Sequence, residues 1–529
     1  MEKRNILIGG AWPYANSSLH LGHIAGLISG DILARYHRQI GDNVIYVSGT
    51  DCHGTPITER AKKEGITPKE ICENYHKEFT EVFNRLNFSY DLYTKTEDEF
   101  HKEQVKKIFK NIYDNKYIYE KIEPDNYCEH CNKFVADREL KLICPVCGAE
   151  TKGDQCDCGY VPTKEDLVGA ICADCGNKTT TKDNKNLYIE LSKLQPQIEE
   201  YLKTVKQNWR KNAQNETEKY LREGLRDRAV TRDLNWGVEI PVEGYESKRM
   251  YVWIDAVLGY LTTTQKYCLE NHLNWEDWWK QSDNNKMYMV HGKDNITFHS
   301  LILPGLLLAL KDNYKLPDMI VSTEYLNFND QKFSKSKGIG MTVLEAVNEF
   351  NIDTLRFHLI KNGPEKKDSN FTIEDYISTH NELTNKLGNF VNRTLKYKGI
   401  TEIPNGKMDE EVKKKIQNVY VQIAELMEKI EFREVTNVIM NFLDEANKYY
   451  DEQKPWVQFK ENTSKFNDII YTCATMIANI SNIIEPFMPE SAEKIRSYLS
   501  IEKATWNYIE AKSNLPLENI EVLFTKMSG

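Results

Sequence analysis

Eight of the twelve cysteines lie between Cys128 and Cys175, and this crowding constrains the fold more than any other feature of the chain. They form four close pairs: Cys128/Cys131, Cys144/Cys147, Cys156/Cys158 and Cys172/Cys175. In a protein that is kept reduced, thiolates paired in this way are typical of tetrahedral zinc sites rather than of a disulfide framework. The pairs therefore predict two Cys₄ sites with structural zinc, because four thiolates leave no position for water. A redox Cys-x-x-Cys motif is disfavoured, since no thioredoxin-like pattern surrounds the pairs.

Two ways of combining the pairs are open. In a sequential arrangement the first pair joins the second and the third joins the fourth. Only the residues 148–155 separate the two inner pairs, and their two glycines suit a tight hairpin. We therefore favour nesting, with an inner site at Cys144, Cys147, Cys156 and Cys158 and an outer site at Cys128, Cys131, Cys172 and Cys175. Because Cys156 and Cys158 are only two apart, the inner site is expected to be the weaker one.

The composition is that of a folded protein of several domains, with 529 residues, 40% hydrophobic and 28% charged. The longest apolar run, Leu301–Leu310, is half the length that a bilayer requires and contains Pro304. Met1 leads directly into a strand-like segment, so we expect no signal peptide, no membrane association and a cytoplasmic location. The net charge of −10 argues mildly against nucleic-acid binding, although a local basic face would be enough for it.

The N-terminal segment alternates strand and helix patterns, as proteins with parallel sheets do. The sequence predicts a strand at 6–10, a helix at 20–37 and a strand at 44–48. Such sheets bind ligands beyond the carboxyl ends of their strands, where the turn 12–18 and Asp51 would lie. Further elements are predicted along the chain: strands at 250–254, 287–290 and 319–322, a loop at 329–340, and a helix bundle from 375 onward.

Two motifs carry charges that suit phosphate chemistry. His20 and His23 lie three apart at a predicted helix start, beside unpaired N–H groups, and Gly22 would let a flat base approach the backbone. The segment Lys332–Gly338 holds three lysines and two serines, which suits charge that develops on a leaving pyrophosphate. Each pattern alone is more often structural or a solvated loop. Together, and in this order on an α/β chain, the two motifs favour a site for phosphate chemistry over a structural role.

Through these motifs the sequence resembles the class I aminoacyl-tRNA synthetases. His20–His23 is similar to the family's HIGH motif, with Leu21 in place of Ile, and Lys332–Ser336 is similar to its KMSKS motif, with Phe333 in place of Met. The segments 11–16, 251–256 and 291–294 resemble the methionyl members, and the resemblance covers nearly the whole chain. The length leaves no room for the editing insertion of the valyl, isoleucyl and leucyl enzymes. The cysteinyl enzyme has a cysteine before its HIGH motif, but no cysteine here precedes Cys52.

The resemblance implies roles for individual residues. Asp51 would pair with the ammonium group of methionine. The methionine side chain, whose thioether suits aromatic neighbours, would be lined by Trp12 (where relatives often carry Leu), Tyr14, Trp253, Ala256, Tyr260 and His299. ATP would be bound by Asn16, His20, Gly22, His23, Lys332, Ser334, Lys335 and Ser336. Of these, the catalytic residues would be His20, His23, Lys332 and Lys335.

A predicted helix at 382–397 carries an apolar stripe of Leu383, Leu387, Phe390, Val391 and Leu395. On the opposite face, Asn389 and Arg393 lie four apart. A polar pair of this kind is usually only a solvated face. The resemblance implies instead that Asn389 and Arg393 read the anticodon and that Trp456 stacks on it.

The implied architecture is an α/β Rossmann-type catalytic domain with a zinc-binding insertion, followed by an all-α anticodon-binding helix bundle. We expect these parts at 1–117 and 232–325 (catalytic domain), 118–231 (insertion), 326–374 (KMSKS-bearing junction) and 375–529 (bundle). The implied ligands are ATP with Mg²⁺, Zn²⁺, L-methionine and tRNA(Met), both initiator and elongator, and we expect a monomer. Two alternatives remain: a synthetase for another amino acid, and a zinc-ribbon RNA-binding protein without catalysis. The intact motif histidines and lysines argue against the second.

Overall fold

The computed structural model describes residues 3–153, 156, 158, 160, 162–332 and 340–528, without the side chains of Arg138, Gln331 and Lys332. The strands are β1 Asn5–Gly10, β2 Asn43–Thr50, β3 Leu92–Lys95, β4 Ile118–Cys128, β5 Lys133–Phe134, β6 Leu140–Ile143, β7 Glu150–Lys152, β8 Ile171–Cys172, β9 Thr180–Ile189, β10 Arg228–Ala229, β11 Thr231–Arg232, β12 Arg249–Met250, β13 Asn285–Gly292, β14 Met319–Thr323, β15 Leu326–Phe328, β16 Gln331–Lys332 and β17 Ser369–Phe371.

Helices make up most of the remaining chain. They are α1 Leu21–Ile40, α2 Thr55–Glu64, α3 Pro68–Arg85, α4 Glu99–Asp114, α5 Leu191–Val205, α6 Lys211–Glu223, α7 Val252–Glu270, α8 Glu276–Trp279, α9 Leu303–Ala309, α10 Val343–Glu349, α11 Ile352–Lys361, α12 Ile373–Leu383, α13 Asn389–Leu395, α14 Glu410–Glu428, α15 Phe432–Gln453, α16 Pro455–Glu461, α17 Thr463–Ile484 and α18 Pro489–Tyr498. In the described part of the chain, no helix has the length and apolar character that a membrane span requires.

A five-stranded parallel sheet in the order β14-β13-β1-β2-β3 forms the centre of the first domain. Leu7 of the middle strand pairs with Ile45 on one side and with Met287 on the other. Helix α1 packs against β1, β2, β13 and β14, and α7 packs against β2 and β3. The sheet is therefore covered by helices, which explains why Ile6, Leu7 and Ile8 form one continuous buried run.

The insertion leaves and rejoins this domain through a long antiparallel ribbon. Strand β4 pairs with β9 from Ile118 opposite Ile189 to Tyr127 opposite Thr180. The small sheet β7-β6-β8 lies beyond the end of the ribbon and contains two of the cysteine-bearing turns. The ribbon therefore brings the two ends of the insertion together at its base, as the nested arrangement of cysteine pairs requires.

The structure corrects one predicted strand and refines one predicted helix. The sequence predicts a strand at 250–254, but in this region only Arg249–Met250 belongs to a strand, and helix α7 begins at Val252. A short apolar run does not distinguish a strand from a buried helix, and α7 is buried on most of its faces. The helix expected at 382–397 belongs to a longer helical run, α12 to α13, joined by a π-helical turn at Thr384–Gly388. Its apolar stripe is buried as predicted.

A fully buried arginine connects the first domain to the C-terminal helices. Arg356 of α11 donates to Asp31 of α1 at 2.6 Å, and its other N–H groups reach the carbonyl oxygens of Leu86, Pro486 and Phe487. Asp31 also accepts from Arg35 at 2.9 Å. Burial alone would raise the pKa of Asp31, but the two arginines outweigh burial and hold this pKa at about 2.

Replacing Arg356 by Met should lower the free energy of unfolding by about 3–5 kcal/mol, because Asp31 would lose a buried partner and three carbonyl groups would lose their donors. Urea denaturation followed by tryptophan fluorescence measures this change. The control is Lys413→Ala, which removes the partly exposed pair Lys413–Glu510 and should cost less than about 1 kcal/mol. Equal effects of the two substitutions would contradict the role assigned to Arg356.

Candidate active site

A cavity of about 360 Å³ opens at the carboxyl edge of the parallel sheet. Its walls include residues at or directly after four strand ends: Ala11 after β1, Asp51 after β2, Gly292 at the end of β13 and Thr323 at the end of β14. This edge is where parallel α/β sheets bind their ligands, because the strand ends and helix starts leave polar groups free there.

Two histidines cap the start of α1 at the cavity wall. His20 is the N-cap, and its Nδ1 accepts the backbone N–H of Gly22 at 3.1 Å. The Nδ1 of His23 accepts the backbone N–H of His20, also at 3.1 Å. Because each Nδ1 is an acceptor, each ring carries its proton on Nε2. The backbone N–H groups that the sequence leaves unpaired at this helix start are therefore bonded within it, those of His20 and Gly22 to the rings and that of His23 to the carbonyl of His20. Both rings and Gly22 line the cavity, so this helix start presents ring N–H groups and a positive dipole end to an anionic ligand.

The cavity also brings together all seven residues that the sequence assigns to methionine: Trp12, Tyr14, Asp51, Trp253, Ala256, Tyr260 and His299. His299 donates through Nδ1 to the carbonyl oxygen of Asn295 at 2.8 Å, so its Nε2 accepts the hydroxyl proton of Tyr260 at 2.7 Å. Burial lowers the pKa of His299 to about 4, which keeps the ring neutral. This wall is therefore polar but uncharged and suits an uncharged side chain.

Trp12 lies between two glycines that leave it no spare room. A methyl group on Gly259 would lie 2.6 Å from the indole, and one on Gly49 would lie 2.5 Å from it. The indole also meets the ring of Tyr260 edge-on, with centroids 6.4 Å apart. The glycines at these two positions therefore fix the position of the indole, which forms part of the cavity wall.

Asp51 is a buried carboxylate at the cavity wall, with only 2% of its surface exposed. Its backbone is fixed from both sides, because its N–H donates to the carbonyl of Pro13 and its carbonyl accepts the N–H of Ala15. Burial raises the pKa of the Asp51 carboxyl, and the nearby carboxylate of Asp255 raises it further. An unpaired ion is unfavourable in such a place, so the site favours a cationic ligand group.

The residues assigned to ATP are only partly gathered here. Asn16 lines a neighbouring cavity of about 830 Å³, which shares Tyr14 and Trp253 with the first. The side chain of Lys332 and the residues Ser334, Lys335 and Ser336 lie outside the described part of the chain. The described segments on either side of them reach the site: Leu326 of β15 lines the cavity, and Thr342 forms a β-bridge with His20.

Three features of the site were not predicted from the sequence. Phe298 stacks on Trp253 with centroids 4.1 Å apart, and no motif singled it out. The contacts of Trp12 with Gly49 and Gly259 join residues that are distant in sequence. Cys52, directly after Asp51, forms a disulfide with Cys72 of α3, although the cysteine count pointed to metal ligation alone. Each of these contacts joins separate elements, so no local pattern encodes it.

The cysteine pairs assemble in the nested arrangement. The ligand atoms of Cys128, Cys131, Cys172 and Cys175 lie within 4.8 Å of one another, and so do those of Cys144, Cys147, Cys156 and Cys158. Four of the Sγ–Sγ distances within these groups lie between 3.4 and 4.0 Å. Four sulfurs around a tetrahedral zinc are separated by about 3.8 Å, given a Zn–S bond of about 2.3 Å. Both groups therefore fit a zinc ion.

The residues assigned to the anticodon lie together on the helix bundle. Asn389 is exposed, and Trp456 is 46% exposed. Arg393 is held in place: it pairs with Asp451 at 2.7 Å and with Asn447 at 2.9 Å, and its guanidinium lies 4.1 Å from the ring centre of Tyr450. The bundle thus presents an indole and a fixed guanidinium group, and single-stranded bases stack on groups of both kinds.

Comparison with known families decides the assignment of the chain. Residues 6–395 match the profile of the family described as tRNA synthetases class I (M), and residues 402–528 match the anticodon binding domain of methionyl tRNA ligase. The chain belongs to the class I tRNA synthetases of the methionyl type. Among its relatives are methionine–tRNA ligase 1 of Alkaliphilus oremlandii, 45% identical over 99% of this chain and 97% of the relative, and methionine–tRNA ligase of Bacillus mycoides, 44% identical with the same coverage.

Solved structures of this synthetase type share the fold. The methionyl-tRNA synthetase of Mycobacterium tuberculosis, solved in complex with methionyl-adenylate, superimposes with a TM-score of 0.80. The superposition covers 98% of this chain and 99% of that one at 22% sequence identity. A second structure of the same protein, bound by methionyl-adenylate, gives a TM-score of 0.79. The fold is therefore shared over 98% of this chain.

Gly259→Ala should destabilise the synthetase by about 1–3 kcal/mol, because the added methyl group overlaps the indole of Trp12. Thermal or urea denaturation measures the loss. In a Trp12→Leu background, which removes the indole, the same substitution should cost little. Gly388→Ala, whose methyl group would meet its nearest neighbour at an ordinary 3.5 Å, is the matched control. An unchanged cost of Gly259→Ala in the Trp12→Leu background would show that the indole is not what the glycine accommodates.

Proposed function

We infer that this chain is a methionine–tRNA ligase, which converts methionine and ATP to methionyl-adenylate and pyrophosphate and then transfers methionine to the 3′ end of tRNA(Met). One observation carries the proposal. A single cavity joins a helix start that suits an anion, a buried carboxylate that suits a cation, and an uncharged aromatic wall. Methionine and ATP together present an anion, a cation and an uncharged side chain. The relatives named methionine–tRNA ligase support the same substrate.

Activation requires in-line attack of the methionine carboxylate on the α-phosphorus of ATP. In this proposal Asp51 binds the ammonium group, and the wall of Trp12, Tyr260 and His299 receives the thioether. No side chain need act as a base, because the nucleophile is already a carboxylate at neutral pH. Positioning the reactants and stabilising the developing charge then account for the catalysis.

The triphosphate lies on the α1 start, where His20 and His23 offer Nε2–H groups and Gly22 leaves room for the nucleotide. Mg²⁺ accompanies ATP and offsets its charge. Lys332 and Lys335 stabilise the departing pyrophosphate. The described chain on either side of these lysines reaches the site, because Leu326 of β15 lines the cavity and Thr342 is bridged to His20.

The terminal ribose hydroxyl of tRNA then attacks the adenylate. The anticodon, in both initiator and elongator tRNA, is read on the bundle by Asn389 and Arg393 and stacks on Trp456. Asp451 and Asn447 fix the direction of the Arg393 guanidinium before tRNA arrives, which reduces the entropy lost on binding.

Two Zn²⁺ ions hold the insertion together through the nested cysteine groups. Their role is structural, because each group supplies four thiolates and leaves no position for a substrate. The outer group joins the end of β4 to the chain around β8, and the inner group holds the turns of the tip.

Pyrophosphate exchange, measured with each of the twenty amino acids in turn, tests the proposal. Methionine should support exchange at the highest kcat/KM, and apolar amino acids of similar size should be less effective by about 10- to 200-fold per methylene. Stronger exchange with another amino acid would assign the chain to a different specificity. A folded protein that supports exchange with none would refute the enzymatic proposal.

Trp456→Ala should greatly reduce charging of tRNA with methionine and leave pyrophosphate exchange unchanged, because the loss of one stacking surface costs about 1–3 kcal/mol per base on a different domain from the chemistry. Both rates are measured on the same preparation. Val421→Ala, which truncates a side chain that is 60% exposed elsewhere on the bundle, is the control. An equal loss in both assays would instead identify Trp456 as a structural residue.

Cys158→Ser should release one equivalent of zinc and retain the other, because Cys158 belongs only to the inner group. Metal content by mass spectrometry gives the stoichiometry, and a chelator titration of the unchanged protein should show two steps with the inner zinc released first. Cys172→Ser is the matched substitution in the outer group. A Cys158→Ser protein that loses both ions, or neither, would contradict two independent Cys₄ sites.

A further inference from the structure

His53 lies behind Asp51, outside the cavity, and both nitrogens of its ring face carboxylates. Nδ1 is 2.7 Å from Asp255 of α7, and Nε2 is 3.0 Å from Glu97, which follows β3. Only 1% of the side chain is exposed. A carboxylate accepts hydrogen bonds and a neutral imidazole has only one N–H, so this geometry requires both nitrogens to carry hydrogen. His53 is therefore an imidazolium ion in the folded protein.

The same residue is bonded to the carboxylate that the proposed function assigns to the substrate. The backbone N–H of His53 donates to Oδ1 of Asp51 at 3.2 Å. Trp236 closes the region: its indole N–H donates to the carbonyl of Cys52, and its ring meets that of His53 edge-on. His53 thus touches Asp51, Asp255 and Glu97 at once, from three separate elements.

The charges of this cluster do not balance without a ligand. Three carboxylates, Asp51, Asp255 and Glu97, face two cations, His53 and Lys102, the latter 3.1 Å from Glu97. Glu99 also pairs with Lys102 but is largely exposed to solvent. His101 of α4 adds no charge, because burial and the neighbouring His53 lower its pKa to about 3. With all three carboxylates ionised, the buried cluster is one positive charge short, and the ammonium group of an amino acid would supply that charge.

We propose that His53 is a positioning residue for amino-acid recognition: its imidazolium ring, paired with Asp255 and Glu97 beside Asp51, offsets their negative charge, so that Asp51 can ionise when the substrate ammonium group binds. The inference rests on the proposed function. Burial alone would lower the pKa of His53, but Asp255 and Glu97 outweigh burial and raise it to about 9, in agreement with the geometry. Without the ring charge, ionised Asp51 and Asp255 would repel each other more strongly, and the pKa of Asp51, which burial and Asp255 already raise, would rise further.

The test uses two inhibitors that differ only in the amino group: methioninol and 4-(methylthio)butan-1-ol. Their inhibition constants are measured by competition with methionine in pyrophosphate exchange. In the unchanged enzyme methioninol should bind far more tightly. In His53→Asn the ratio of the two constants should fall by about 10- to 100-fold, the effect of one charge-assisted hydrogen bond. The KM for methionine should rise with it, while kcat and the KM for ATP change little.

A double variant separates charge from packing. His53→Asn/Asp255→Asn removes the counter-ion together with the second carboxylate, so Asp51 can again ionise on binding and the preference for the amino group should return towards its original value. This variant also serves if His53→Asn alone does not fold. A ratio that is unchanged in His53→Asn, or that stays low in the folded double variant, overturns the proposal. If the unchanged enzyme shows no methionine-dependent exchange, the proposed function itself fails.

Discussion

The buried ion pair between Arg356 and Asp31 is the contact on which the arrangement of the domains depends. Asp31 lies in the middle of α1, the helix whose first residues are the proposed phosphate-binding end of the site. Arg356 comes from α11, and it also bonds the carbonyl oxygens of Pro486 and Phe487, just after the end of α17. One residue therefore fixes the helix that carries the histidines relative to the bundle that would carry the anticodon.

Charge placement at the site follows from the same physics of burial. The first domain buries Asp51, Asp255 and His53 completely or nearly so, and burial is unfavourable for each ion unless a partner compensates it. Asp31 is fully compensated by two arginines, whereas the cluster around Asp51 is not. The difference separates a structural ion cluster from one that is ready for a ligand. The neutral His299 beside Tyr260 adds no charge to its wall of the pocket.

Much of the fold and part of the site could be predicted from the sequence. The parallel sheet, the insertion and the helix bundle follow from local patterns, and the cysteine nesting follows from hairpin length. The predicted strand at 250–254 was wrong, because a buried helix and a buried strand are both continuously apolar. Phe298, the glycines around Trp12 and the surroundings of His53 could not be found, since each depends on contacts between distant segments. The anticodon roles of Asn389, Arg393 and Trp456 and the catalytic role of Lys335 remain predictions.

A crystal structure of the protein with bound methionine would test the central claim most directly, because the claim concerns where three chemical groups of one ligand lie. The account predicts the amino nitrogen within about 3 Å of the Asp51 carboxylate. The thioether should lie against Trp12, Tyr260 and His299, and the carboxylate should point to the start of α1 at His20. Methionine bound in another orientation, with its amino group away from Asp51, would contradict the account.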